Sequence, residues 1–167
     1  MKTPPVNPLS PVEAPRPIKT LRIDGLDVSG RQEQTILEVA REHDIKIPAL
    51  CHMEGLSDVG ACRLCLVEVK GSPRLVPACV TRVEEGMDVT TNSRRLAEYR
   101  RMILELIFAE RNHVCAVCVA NGHCELQTLA QELGMDHVDL PSMNPRVHVD
   151  ATHKLFALDH KIGRAHV

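Results

Sequence analysis

The 167 residues include seven cysteines, and their spacing constrains the fold more than any other feature. They fall in two groups, Cys51-x10-Cys62-x2-Cys65-x13-Cys79 and, behind a histidine, His113-x-Cys115-x2-Cys118-x5-Cys124. An odd number cannot be consumed by intramolecular disulfides. Met1-Lys2-Thr3-Pro4-Pro5 shows no apolar segment of a secretory signal, so a reducing cytoplasm is the expected location. Clustered thiols in such a compartment are metal ligands or redox groups before they are staples.

The surroundings narrow the choice. Twenty Lys and Arg face twenty-two Asp and Glu, a formal net charge of −2 that argues against a broad nucleic-acid-binding field. Tyr99, Phe108 and Phe156 are the only aromatics, too few for a base-stacking platform, and the core must be aliphatic. The most apolar stretch, Met102 to Ala109, contains Glu105 and falls far short of the roughly 20 residues that span a bilayer. No direct membrane insertion and no nucleic-acid partner are expected. Neither a G-x-G-x-x-G after a strand nor a G-x-x-x-x-G-K occurs, so nothing points to a dinucleotide or triphosphate bound by this chain.

Residues 1–17 read as a disordered, Pro-rich arm. Leu21 and Ile23 alternate with polar residues ahead of Asp24-Gly25, which predicts a hairpin with the strand around Val28. Thr35 with Glu38 three residues on has capping-box spacing, predicting a helix of about two turns to His43. Residues 47 to 62 form a long loop. Strands are expected at Leu64 to Val69, Leu75 to Thr81 and Met87 to Thr91. From Ser93 the period becomes helical, with Leu96, Tyr99, Ile103, Leu106 and Ile107 as the core-facing stripe. Leu126, Leu129, Ala130 and Leu133 mark a last short helix ended by Gly134. The organisation is α+β: residues 18–92 as a first domain, 93–140 as a small helical module, and 141–167 as an extended tail.

Four thiols at Cys51, Cys62, Cys65 and Cys79 match a [2Fe-2S] cluster, whose two tetrahedral irons each take two sulfurs. Gly60 and Ala61 leave room for backbone N–H groups near sulfur. A four-cysteine zinc site needs the same ligands, but zinc ribbons pair two CxxC motifs and this group has one. In the second group, three cysteines and one histidine supply the four corners of a [4Fe-4S] cube, with a Cys3His zinc site as the alternative. His113 is favoured as fourth ligand because it closes the loop from ahead of the CxxC pair, and His123 is the competitor. His52 reads as a loop residue, since the Cys/His alternation of a Rieske centre is absent. Arg94, Arg95, Arg100 and Arg101 read as a solvated helical face, with a docking surface for an acidic partner as the other option.

With these residues in view, Cys51 to Cys79, including Gly60-Ala61-Cys62-Arg63-Leu64-Cys65, resembles the [2Fe-2S] domain at the amino end of the NADH-quinone oxidoreductase G subunit and of iron-only hydrogenases. Phe108 to Cys118 and Asn121 to Gln127 resemble, more narrowly, the small diaphorase subunit of NAD-reducing bidirectional [NiFe]-hydrogenases. The resemblance covers roughly residues 19 to 160. It implies a β-grasp ferredoxin-like fold, then a [4Fe-4S] module with one His and three Cys ligands. It also implies an electron-transfer subunit without a substrate site of its own, relaying electrons between a flavin- and NAD(H)-binding diaphorase partner and hydrogenase subunits. A fragment of the respiratory G subunit and a zinc-stabilised interaction module are the alternatives.

Two departures stand out. The family's ligand His lies four residues ahead of the first Cys of the second motif, where this chain has Arg111, so His113 is the expected substitute. The relatives continue into a further ferredoxin-like domain, whereas Ile162-Gly163-Arg164-Ala165-His166-Val167 matches a translation of sequencing-adapter DNA, and a reading frame cut short is the expectation. A plant-type [2Fe-2S] centre sits at about −400 mV, suited to exchange with NADH and H2 chemistry. A neutral imidazole in place of a thiolate raises the second centre's potential, and solvent exposure opposes that.

Overall fold

The hairpin forms where Asp24-Gly25 allows it. β1 (Ile18–Ile23) and β2 (Leu26–Arg31) pair antiparallel with Leu21 opposite Val28 and Ile23 opposite Leu26. Both turn residues adopt positive φ, 49° and 84°, which matches the right-handed twist of the strands. The computed structural model describes residues 17–110, 113, 115–141, 151–155 and 157. The proline-rich arm up to Arg16 and most of the tail lie outside these.

Alternation along β1 and β2 sends Leu21, Ile23 and Val28 to one face, and α1 (Ile36–Glu42) lies against it. The expected capping box is present: the Thr35 hydroxyl accepts from the Glu38 N–H at 3.2 Å, and the Glu38 carboxylate accepts from the Thr35 N–H at 2.6 Å. Ile36, Leu37, Val39 and Ala40 are buried on one side of this short helix. It packs very closely on β2: a Cβ at Gly30 would stand 2.4 Å from Val39 Cγ2.

β3 (Leu66–Val69), β4 (Val76–Pro77) and β5 (Asp88–Thr90) complete a sheet of order β2-β1-β5-β3-β4, in which β1 and β5 run parallel and the other pairs antiparallel. This is the β-grasp order, a hairpin and a helix closed by a parallel strand beside the first. β4 is far shorter than the expected 75–81. Pro77 cannot donate to a ladder, and its carbonyl instead accepts from the Thr81 N–H at 3.1 Å and hydroxyl at 2.8 Å, curling the chain into a turn. Two further bonds dock that turn on α1: Leu37 N–H donates to Ala78 O at 3.1 Å and Ile36 N–H to Thr81 O at 2.9 Å. They satisfy amides that a helix N-terminus otherwise leaves open.

α2 (Arg94–Glu110) starts where Ser93 Oγ accepts from the Leu96 N–H at 3.2 Å, and it packs along β3. The expected stripe needs correcting. Leu96, Arg100, Leu104 and Ala109 are buried, whereas Tyr99 and Leu106 are 43% and 45% exposed. The inward face follows an i, i+4, i+8 line through Arg100, so Arg100 does not belong to a solvated face. Arg95 stacks over the outward Tyr99 ring at 5.9 Å from its centroid. A 3-10 turn (Cys115–Val117) leads to α3 (Glu125–Glu132), and Leu64, Leu104 and Leu129 form a second small core with Leu126 and Leu133 packed around them.

The closeness of β2 and α1 yields a test. Gly30→Ala forces a methyl into a stiff, buried, β-branched side chain, at an expected cost of about 1–3 kcal/mol in chemical unfolding. In the double variant with Val39→Ala, the two losses should sum to less than the separate effects. An unchanged unfolding midpoint for Gly30→Ala would show that the contact is not tight.

Candidate iron-sulfur site

The sheet and its two edge turns bring the first four cysteines together. Cys65 precedes β3 and Cys79 sits in the turn after β4, and both are buried in the main core, 0% and 1% exposed. Their Sγ atoms touch at 3.4 Å. Cys51 and Cys62 come from the long loop and are half-buried, with the Cys62 N–H donating to Cys51 Sγ at 3.3 Å. That bond has the form that stabilises sulfur charge at a cluster.

Backbone shape explains the loop's approach. Gly60 holds φ +58° and Arg63 φ +59°, left-handed turns that wind residues 60–65 tightly around the site. A Cβ at Gly60 would meet Val80 at 3.4 Å and Cys79 Sγ at 3.9 Å, so the bare glycine lets the loop lie against the sulfur turn. His52 Nδ1 pairs with Asp58 Oδ1 at 2.5 Å and braces the loop from inside, in keeping with its reading as a loop residue. Nothing in the spacing of two loop residues six apart foretold that pairing.

Electrostatics follow from burial. Desolvation, then the hydrogen bond and charge of Cys65, then Cys51 and Asp58, push the Cys79 thiol up to about 12. The thiol therefore stays protonated at neutral pH unless positive charge is supplied beside it, which is what ferric iron does to a coordinating sulfur. None of the seven cysteines is in a disulfide. Among the described residues no three Cys, His, Asp or Glu side chains converge on a point as a single ion requires. The contacts at the site are the Cys65 and Cys79 sulfurs against each other and the Cys62 N–H on Cys51 sulfur.

Arg100 is the residue that the sequence reading misplaced. Its guanidinium, on a side chain only 6% exposed, donates from Nε to Leu64 O at 3.0 Å and from Nη2 to Leu66 O at 2.9 Å, the carbonyls on either side of Cys65. Burial lowers its pKa, opposed first by Cys65 and then by Asp24. An arginine four residues from a leucine on each side was the available signal, outweighed by its charged neighbours on the helix.

At the second group, Cys115 opens the 3-10 turn, Cys118 follows it, and Cys124 occupies the N-cap position of α3 without capping the helix by its side chain. All three are half-buried. The loop between them closes on itself: Gln127 accepts from the Gly122 N–H at 3.1 Å and donates to Asn121 Oδ1 at 3.0 Å. His113 is half-buried, its ring edge-on to Phe108 with centroids 5.2 Å apart and its Nε2 at 3.1 Å from Ile107 O. A carbonyl only accepts, so in the neutral ring that contact calls for the Nε2–H tautomer, whose other nitrogen is Nδ1. His123 is exposed, and Arg111 lies outside the described residues.

Comparison with known proteins places this geometry. Residues 17–94 match the 2Fe-2S iron-sulfur cluster binding domain, and residues 100–139 match the NADH-ubiquinone oxidoreductase-G iron-sulfur binding region. The chain is 44% identical over 121 residues to the NADP-reducing hydrogenase subunit HndD of Solidesulfovibrio fructosivorans, covering 70% of this chain and 21% of that one. It is 36% identical over 115 residues to the NAD-reducing hydrogenase HoxS subunit gamma of Cupriavidus necator, covering 69% and 48%. The NADH-ubiquinone oxidoreductase 75 kDa subunit of Reclinomonas americana is 37% identical over 114 residues, covering 68% and 16%. A solved NAD+-reducing [NiFe]-hydrogenase in the H2-reduced state superposes with a TM-score of 0.75 at 34% identity, over 88% of this chain and 62% of that one. The chain spans less than half the length of each of these curated relatives. Over these stretches the chain is similar to subunits of NAD(P)-reducing hydrogenases and of NADH-ubiquinone oxidoreductase, and it carries a 2Fe-2S ferredoxin-like domain followed by a 4Fe-4S binding region.

Proposed function

We propose that this chain relays single electrons between a flavin- and NAD(H)-binding diaphorase partner and hydrogenase subunits in the cytoplasm, and that it has no substrate-binding catalytic site of its own. In this reading Cys51, Cys62, Cys65 and Cys79 hold the [2Fe-2S] centre, and His113, Cys115, Cys118 and Cys124 hold the [4Fe-4S] centre. The observation that carries it is the gathering of four cysteines from three separate segments, the Cys62 N–H on Cys51 sulfur and the Cys65 and Cys79 sulfurs in contact inside an apolar core. When bound, the clusters supply one-electron redox chemistry.

The chain's own residues do the rest. The core around Cys65 and Cys79 excludes water, and the Cys62 N–H stabilises sulfur charge. The His113 ring is held by Ile107 O and Phe108 with Nδ1 left to ligate, the arrangement that metal-bound histidines use. Leu64 is wholly buried in the second core, so the two halves are joined through dry packing. Met53, Leu56 and Val59 are exposed on the first cysteine loop, and Val117 and Val119 on the second. Exposed apolar side chains beside both sites are suited to burial against partner subunits. No helix among the described residues is long and apolar enough to cross a membrane.

A second reading, a piece of a respiratory NADH-quinone oxidoreductase, is favoured by the family match over residues 100–139 and by the 75 kDa relative. Neighbouring genes discriminate: hydrogenase genes for the first reading, many membrane subunits for the second.

Anaerobically purified chain should contain about six irons and six acid-labile sulfides, whereas about two zincs without sulfide would make it a zinc-stabilised interaction module instead. His113→Ala should alter or abolish the [4Fe-4S] resonance and leave the [2Fe-2S] signal, while His123→Ala should leave both. The reverse result would make His123 the ligand.

A further inference from the structure

Of the four arginines on α2, only Arg100 is buried. A cation withdrawn from water needs an opposite charge, and one left without it is strongly destabilising. Among the described residues no carboxylate stands within ion-pair distance of this guanidinium. Asp24 acts on it from farther away, with its carboxylate accepting from the Thr91 N–H at 2.7 Å and from the Thr91 hydroxyl. The guanidinium's two hydrogen bonds are to carbonyls, which carry partial charge alone, and those carbonyls bracket Cys65. The nearby residue that gains a full negative charge on ligation is therefore Cys65 itself. Arginine remains protonated through any such burial, so its charge is permanent.

We infer that Arg100 is the positioning residue that sets the reduction potential of the [2Fe-2S] centre: it clamps the backbone on both sides of Cys65 and keeps a fixed positive charge beside that sulfur. The inference rests on the ligand set proposed above. Adding one electron makes the iron-sulfur unit more negative by one charge, and a desolvated cation close by favours that state over the oxidised one. The same clamp ties the first site to the helix that runs on toward the second, so the charge reaches the ferredoxin-like core from the neighbouring module.

The test is a potentiometric titration of the full chain under anaerobic conditions, followed by paramagnetic resonance, for wild type, Arg100→Gln and Arg100→Lys. Arg100→Gln should lower the [2Fe-2S] midpoint so that the reduced-to-oxidised ratio at a given applied potential falls tenfold or more, at least about 59 mV for one electron. Arg100→Lys, which keeps the charge and loses the fork, should stay near wild type, and the [4Fe-4S] midpoint should not move in either. A Gln variant titrating with wild type, or a Lys variant falling as far as Gln, would overturn the electrostatic role. Should Arg100→Gln not load, the Lys variant decides alone: a midpoint near wild type sustains the inference and a tenfold fall overturns it. Failure of both to load would reduce Arg100 to holding backbone. No [2Fe-2S] signal in the unmodified chain would remove the proposed function itself, a distinguishable result.

Discussion

Two sulfurs in contact inside an apolar core cannot both carry charge unless something positive stands beside them. Cys65 and Cys79 are in that position, 3.4 Å apart and almost fully covered. Burial raises the cost of the Cys79 thiolate, and Cys65 raises it again. Much of the surrounding architecture can be understood as meeting this demand. The Gly60–Cys65 loop winds tightly enough to bring an N–H to Cys51 sulfur, and Arg100 projects from a separate helix onto the Leu64 and Leu66 carbonyls that flank Cys65. Iron held by these cysteines, as proposed above, would supply the remaining positive charge and displace the thiol protons.

The scaffold that makes this possible is held at a few defined points. The N-terminus of α1 uses its open amides to grip the carbonyls of Ala78 and Thr81, so the helix and the Cys79 turn move as one piece. Pro77 ends the ladder one residue before that turn begins and keeps Cys79 out of a regular strand. On the other side, β3 delivers Cys65 at its N-terminal end while the long loop folds over it under the His52–Asp58 brace. The cysteines proposed as ligands are thus presented by backbone that is hydrogen-bonded elsewhere.

Much of this could be read before any coordinates. Local signals with short range held well: the Asp24-Gly25 turn, the Thr35 and Glu38 capping box and the Gly134 stop all depend on neighbours in sequence. Strand length at β4 did not, because the turn there is made by side-chain and main-chain bonds to Pro77 that no periodicity encodes. Arg100 was misread for a related reason. Its charge argued for solvent, while its true partners, two carbonyls more than thirty residues away, arise only when β3 lies beside α2. The His113 ring shows the same limit: its spacing made it a candidate, but its proton location comes from Ile107 O.

Leu64 and Cys65 are consecutive, yet their side chains serve different interiors, one shared with Leu104 and Leu129, the other with the sheet. A border drawn between a ferredoxin-like unit and a helical unit would pass through a single peptide bond at that point. Excising either half would strip the cover from a leucine on the surviving half and loosen the strand that carries a thiol. For this chain, then, a cut between its two motifs would fall inside shared packing, however separable they look on paper.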